Sequence, residues 1–408
     1  MSDAGAGVGA SSGGGSDHND PHLSAKTETL LAIVGGVLVA NAYYIHPIIS
    51  QVGRDFGVSD AMIGLVPALN QIALAAGIFL LLPLGDRYSN RNLAILFAIG
   101  QTAALLIMVF ADDYAWFVAG STILGFFTIA PYLLPAYASK RVSSKRLGSV
   151  TARLTAGTIF GILMARVCSG MIAQYLDWRL VYVVASAMMI ATTLSLPFIM
   201  EGRRRPQAGG STTPYWTLIG SLFELMRQHT NVFRSGLIQA LNFGIFLAVW
   251  LGLALHLPSD ALGYGVDVVG YLAGFAVIAI FATPRLGVWA DRIGAEKARF
   301  RLAVVQMVGV GLLLPMGGSL WLLLIPILIM NAVGPAIDVA GRMTSLSLAP
   351  EIRTRLMTGY IVLMFVGAGL ASWGGTLAYD LAGWTGTAGL AVTMSALLVW
   401  LSWREARN

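Results

Sequence analysis

PLGDRYSNRN, residues 83–92, is the stretch that decides the fold, because Asp86, Arg87 and Arg91 interrupt two long apolar runs. A second version, GVWADRIGAE at residues 287–296, follows 205 residues later with Asp291 and Arg292 in the same relation and with Gly287 and Gly294 added. Two acid-arginine turns at equivalent points of two apolar halves imply a duplicated, all-α polytopic membrane chain. Working outward from the turns, apolar runs begin near residues 29, 61, 93, 115, 149 and 179, and again near 231, 267, 302, 320, 355 and 382. Each is about 20 residues, the length that crosses a hydrocarbon core of about 30 Å, so the pattern predicts twelve transmembrane helices, six plus six.

Composition agrees. Hydrophobic residues make up 56% of the 408 and charged residues 11%, whereas soluble domains carry about a quarter charged. The formal charge of +6 does not suggest a nucleic-acid partner, because the basic residues are spread over loops instead of forming one patch. Cys168 is the single cysteine, which excludes an intrachain disulfide or a cysteine metal cluster. Residues 1–27 are Gly-, Ser- and Asp-rich and are expected to be a disordered cytoplasmic tail, with no signal peptide. The expected division is a bundle over 28–200, a cytoplasmic linker over 201–230, a second bundle over 231–404 and a short tail at 405–408. Within the linker, Glu201 to Pro214 is polar, and Trp216, Ile219, Leu222, Phe223 and Met226 then recur at helical spacing. They predict an amphipathic surface helix; the alternative is that they begin the seventh span.

Lys/Arg asymmetry orients the chain. With the amino terminus inside, the even-numbered connections hold Arg87, Arg91, Lys140, Arg141, Lys145 and Arg146, then Arg203 to Arg205, Arg292, Lys297, Arg299 and Arg301, and Arg353 and Arg355. The opposite loops have Arg54 and Arg179 as their clear basic residues. Both termini are therefore expected on the cytoplasmic side of the inner membrane.

The paired turns resemble the cytoplasmic loop motif G-x-L-x-D-R-x-G-R-R/K of the major facilitator superfamily. The first copy keeps Leu84, Asp86, Arg87 and Arg91 but has Leu82 and Ser89 where the family prefers glycine; the second keeps Gly287, Asp291, Arg292 and Gly294 but has Ala295 and Glu296 for the trailing basic pair. VANAYYIHPI in the first span, GILMARVCSG in the fifth and LAPEIRTRLMTGY before the eleventh extend the resemblance to a bacterial branch close to the drug:proton antiporters. The resemblance implies two six-helix bundles around a central cavity and rocking-type alternating access. It also implies that Asp86, Arg87, Arg91, Asp291 and Arg292 form gating contacts that break when the halves tilt; the alternative is a set of interfacial stop charges. In the fifth span the Gly161-to-Gly170 interval fits the opening of the family's antiporter motif, but Gln174-Tyr175 stands where that motif has Gly-Pro.

Charges inside apolar runs are functional candidates, since even a lenient scale sets their cost at about 2.5–3.5 kcal/mol. Arg166 is the deepest, roughly 15–20 Å from either face along its helix. It stays charged, so it is either a partner for an anionic substrate or an interhelical anchor. Asp338 and Arg342 stand at i,i+4 after Gly334 and Pro335; they read either as an ion pair or as a proton-coupling site. Asn41 and Tyr44 in the first span, Asn70 and Gln71 in the second, and Gln239 and Asn242 in the seventh either line a polar cavity for substrate or glue helices together. His46 and His256, at equivalent places in the two halves, read as structural. No acidic or histidine cluster suggests a metal, a cofactor or an enzyme.

The main expectation is a secondary transporter, most simply a proton-coupled exporter of small organic molecules, working as a monomer in the lipid bilayer with protons as the coupling partner. The alternative is a transporter, importing or exporting, of a small organic anion that uses Arg166 as charge partner.

Overall fold

The computed structural model describes residues 23–202, 215–344 and 350–407, and among these the side chains of Asp86, Ser144, Lys145, Leu218, Ser221, Phe223, Pro350, Glu351, Arg353 and Thr354 lie outside what is described. The expected tail up to residue 22, and the linker from Arg203 to Pro214, likewise lie outside the described residues. Apolar spans follow the sequence closely: α1 (Ala25–Asp55), α2 (Asp60–Gly85), α3 (Asn90–Val109), α4 (Tyr114–Ser139), α5 (Arg146–Tyr175) and α6 (Trp178–Ile199) make the first half. The second half has α7 (Thr230–His256), α8 (Val266–Ile293), α9 (Ala295–Met316) and α10 (Leu320–Met343). The last helix, Pro350–Arg407, is broken at Ala382 and Gly383. Gly383 takes φ +58°, a conformation that costs glycine little, and so divides the run into α11 (350–381) and α12 (384–407). Twelve spans result among the described residues.

Several spans are bent, and proline places the bends. Pro47 has no N–H for the Tyr43 carbonyl four residues back and crowds it. α1 accordingly consists of two helical pieces, Ala25–Ala40 and Ile45–Asp55, and the freed Tyr43 carbonyl accepts from the His46 N–H at 3.2 Å. Pro131 does the same to Phe127 in α4, where Gln101 Nε2 of α3 donates to that carbonyl at 3.1 Å. An apolar environment leaves such groups few other partners.

At their starts α1 and α5 are pinned by charge. Glu28 is 1% exposed and receives Arg146 at 2.6 Å and Arg153 at 2.5 Å. The second half has a counterpart that the sequence pattern does not announce. Arg299 belongs by sequence to the basic loop before α9, yet it is 1% exposed and ion-paired with Glu405 of α12. The helix runs on through Arg407, so the tail expected at 405–408 begins inside a packed helix; burial of the Arg299–Glu405 pair holds that end in place.

The linker helix, Tyr215–Gln228, is separate from α7, because His229 between them leaves helical geometry at φ −102°, ψ 66°. Ile219 and Leu222 are buried, and Met226 packs on Gly359 of α11. Trp216 is exposed. Hydrogen bonds from Gln228 and Arg227 hold the exposed Glu224 carboxyl below its usual range.

The two halves converge at the end opposite the acid-arginine turns. There the second piece of α1 packs on α7, α2 on α11, and the start of α8 on α5. A Cβ on Gly270 of α8 would lie 2.7 Å from the Arg166 carbonyl of α5, and one on Gly170 of α5 would lie 3.0 Å from the Val266 carbonyl of α8. Toward the turns the later part of α8, Ile278–Ile293, packs on α9 and α10 of its own half, and most of its side chains are exposed or half-exposed. The contacts between the halves described here thus lie at the end away from the turns. Gly270→Leu should wedge the closed end apart, because the added side chain meets backbone that cannot swing aside. The expected result is faster alkylation of Cys168, two residues from Arg166, by a membrane-impermeant maleimide applied from the closed end; an unchanged labelling rate would contradict this packing.

Candidate functional site

Where α1, α5 and α7 meet, Arg166 is 3% exposed. Its guanidinium carbon lies 5.2 Å from the ring centre of Tyr43, 5.3 Å from Phe246 and 5.1 Å from Trp250. Nη2 is 3.2 Å from His46 Nδ1. The ion pairs among the described residues include no acid on Arg166. Tyr43 and His46 come from the proline-bent part of α1, and Phe246 and Trp250 from one face of α7 at i,i+4. Both halves therefore build the cage.

Proton bookkeeping sharpens the chemistry. A guanidinium only donates, so His46 Nδ1 must accept, which puts the imidazole proton on Nε2 in a neutral ring. Neither His46 Nε2 nor Arg166 Nε has a partner among the described residues. The cage thus offers one positive charge and two unmet N–H donors. Cation-π contacts return about 0.5–2 kcal/mol each, against an effective cost of several kcal/mol for a buried ion. An acceptor with negative charge would complete the balance.

The other sequence candidates occupy different places. Asn41 donates to Gln101 Oε1 at 2.8 Å, extending the amide chain that ends on the Phe127 carbonyl, so it ties α1 to α3 and α4. Tyr44 lies within electrostatic range of Cys168 and Tyr182, in the first half. Asn70 donates to the Ser121 carbonyl at 2.8 Å, binding α2 to α4. Gln71 is fully buried, and neither of its polar side-chain atoms has a partner among the described residues. Gln239 Oε1 accepts from Asn242 at 2.9 Å, and Asn242 also donates to the Gly334 carbonyl of α10 at 3.0 Å, a network within the second half.

Asp338 and Arg342 do meet, with Arg342 Nε 3.0 Å from both carboxylate oxygens. Tyr360 of α11 donates to Asp338 Oδ1 at 2.8 Å. The pair is half-buried, at 22% and 39% side-chain exposure, so the carboxylate is partly exposed. His256 has a structural place: Nε2 is 2.9 Å from the Gly317 carbonyl and the ring stacks on Trp384.

At the turns, Asp86 ends a 3-10 segment, Leu82–Asp86, and its side chain lies outside the described part. Arg87 lies within electrostatic range of Tyr215 of the linker helix, whose hydroxyl donates to the Leu80 carbonyl. Arg91 lies against Gly202 at the end of α6. Asp291 and Arg292 are exposed, without an ion pair among the described residues. Gly294 closes that turn at φ +92°, which a side chain would strain. At the closed end Gln174 Oε1 accepts from the Val266 N–H at 3.1 Å, and Tyr175 donates to Asp267 Oδ2 at 3.3 Å. The two residues that replace Gly-Pro therefore bind the opposite half.

Sequence reasoning missed Tyr43, choosing its neighbour Tyr44, and also missed Phe246, Trp250 and the role of His46. No spacing rule links positions 46, 166 and 246, and the available signal was the lack of any acid near Arg166 in the sequence.

Comparison with known proteins fits this architecture. The profile of the Major Facilitator Superfamily matches residues 31–337. The uncharacterized transporter YgaY of Escherichia coli O157:H7 is 29% identical over 386 residues, spanning 94% of this chain and 96% of that one. The multidrug resistance protein MdtG of Citrobacter koseri is 24% identical over 238 residues, 57% of this chain and 56% of that one. Among solved structures, an inward-facing, occupied bacterial homologue of the human lysosomal transporter Spinster superposes with a TM-score of 0.74 at 14% identity, over 94% of this chain and 96% of its own. The inward-open xylose transporter XylE of E. coli gives 0.69 at 18% identity, over 92% and 94%. With twelve spans in two packed halves and that profile over most of its length, the chain belongs to the Major Facilitator Superfamily and is a multi-pass membrane transporter of small molecules.

Proposed function

We propose that this transporter carries a small organic anion by alternating access, with Arg166 as the charge partner. The observation that carries the reading is a buried guanidinium with no acid, two unmet N–H donors and aromatic walls from both halves. An anion seated there would neutralise the charge that otherwise opposes closure around it. The turn-bearing end is cytoplasmic in this proposal, in an inner-membrane protein with both termini inside, following the Lys/Arg distribution. Asp86, Arg87 and Arg91 and their counterparts Asp291 and Arg292 then re-engage when that end closes. The test is a substrate-panel flux assay in proteoliposomes with an imposed pH gradient. Selective flux of organic anions is expected; flux of cations alone would reject the reading.

A second reading, proton-coupled export of small organic molecules, is favoured by Asp338, a partly exposed carboxylate within an apolar span, and by the similarity to the multidrug resistance protein MdtG. On it, Asp338→Asn should abolish accumulation against a gradient while downhill exchange persists. Undiminished uphill transport in that variant would remove Asp338 from coupling and leave it as a structural acceptor, ion-paired with Arg342 on its own helix and joined to α11 through the Tyr360 hydroxyl.

A further inference from the structure

A basic site lies apart from the Arg166 cage. In the groove between α7 and α12, at the turn-bearing end, a cavity of about 280 Å³ is lined by Arg234, Arg404 and Arg407 over an apolar floor of Ile238 and Leu401. Glu405 also lines it, but Arg299 engages its carboxylate from the buried side. The three rim arginines are exposed and belong to none of the ion pairs among the described residues. Arg234 sits in the second turn of α7, close to the positive end of the helix dipole, so its charge is unrelieved by its own helix.

Two neighbouring contacts fix the depth of the groove. Arg404 lies 4.9 Å over the Trp400 ring and Arg407 4.1 Å over Trp403, and both tryptophans are exposed. Tryptophan and arginine paired in this way sit at the headgroup level of a bilayer. Basic grooves between membrane helices at that level suit anionic headgroups, and guanidinium forks match the geometry of phosphate oxygens.

We propose that this groove binds the phosphodiester headgroup of an anionic phospholipid from the leaflet that the turn-bearing end faces, with its acyl chains following Ile238 and Leu401. A free phosphate would satisfy the same guanidinium groups but would make no use of the apolar floor.

Native mass spectrometry of the full chain in detergent, titrated with phosphatidylglycerol or with phosphatidylcholine of the same chains, tests the assignment. Phosphatidylglycerol should bind preferentially, weakening roughly fivefold for each arginine removed in Arg234→Gln and Arg407→Gln and not at all in Arg54→Gln at the opposite end. Arg234→Lys with Arg407→Lys should keep most of the binding, which separates loss of charge from loss of fold. Equal binding of the two lipids, or undiminished phosphatidylglycerol binding in the double glutamine variant, would overturn the proposal. Displacement of the lipid by millimolar inorganic phosphate would overturn it in favour of a free-phosphate site.

Discussion

Arg166→Gln is expected to abolish anion flux while leaving the protein as stable as before, or more so. The two effects separate because the guanidinium serves binding and not packing. Truncating one partner of a buried charge pair costs about 2–5 kcal/mol in binding, equivalent to a loss of about 30-fold or more in apparent affinity. Folding stability need not fall, since Arg166 has no acid among the described residues and only the three rings and His46 offset its desolvation. Glutamine keeps much of the stem and one donor group while removing the charge. Flux in proteoliposomes and the thermal midpoint in detergent are to be measured on the same preparation. A large fall in midpoint would make Arg166 an interhelical anchor, and retained flux would remove it from the substrate site.

Glu405→Ala is expected to give the largest loss of stability in the chain, at a residue whose sequence position looks like a terminal tail. Removing the carboxylate leaves Arg299 fully buried beside Tyr360. Breaking such a pair costs about 3–5 kcal/mol, whereas replacing both members by apolar residues is often neutral. Glu405→Ala should therefore lower the thermal midpoint by several degrees, and Arg299→Met combined with Glu405→Leu should recover most of it. A small effect of Glu405→Ala on the midpoint would mean that Arg299 finds water or another acceptor. The same variant bears on Asp338, because Tyr360 touches both the Asp338 carboxylate and the neighbourhood of Arg299.

The amides show why the site was harder to read than the fold. Asn41, Asn70, Gln239 and Asn242 looked alike in sequence, each a polar residue within an apolar run. In the structure each is tied to a helix of its own half, Asn41 through Gln101 to a carbonyl freed by Pro131 and Asn242 to the carbonyl of Gly334. Gln71 has no such partner among the described residues. The difference lies in which helix stands opposite, and helix spacing along the chain carries no information on that.

Period and length alone decided the class, the twelve spans, the position of the linker helix and the duplication of the acid-arginine turns, because a bilayer demands about 20 apolar residues per crossing and proline bends act within four residues. Arg166 was also marked by sequence alone as a charge deep in the membrane. Only tertiary packing decided what surrounds it. His46 reaches it from the proline-bent α1 of the same half, and Phe246 and Trp250 on α7 reach it because the two halves meet at the end away from the turns. The first and fifth spans belong to one half and the seventh to the other, and long-range contacts between the halves follow from their docking, which no local pattern encodes.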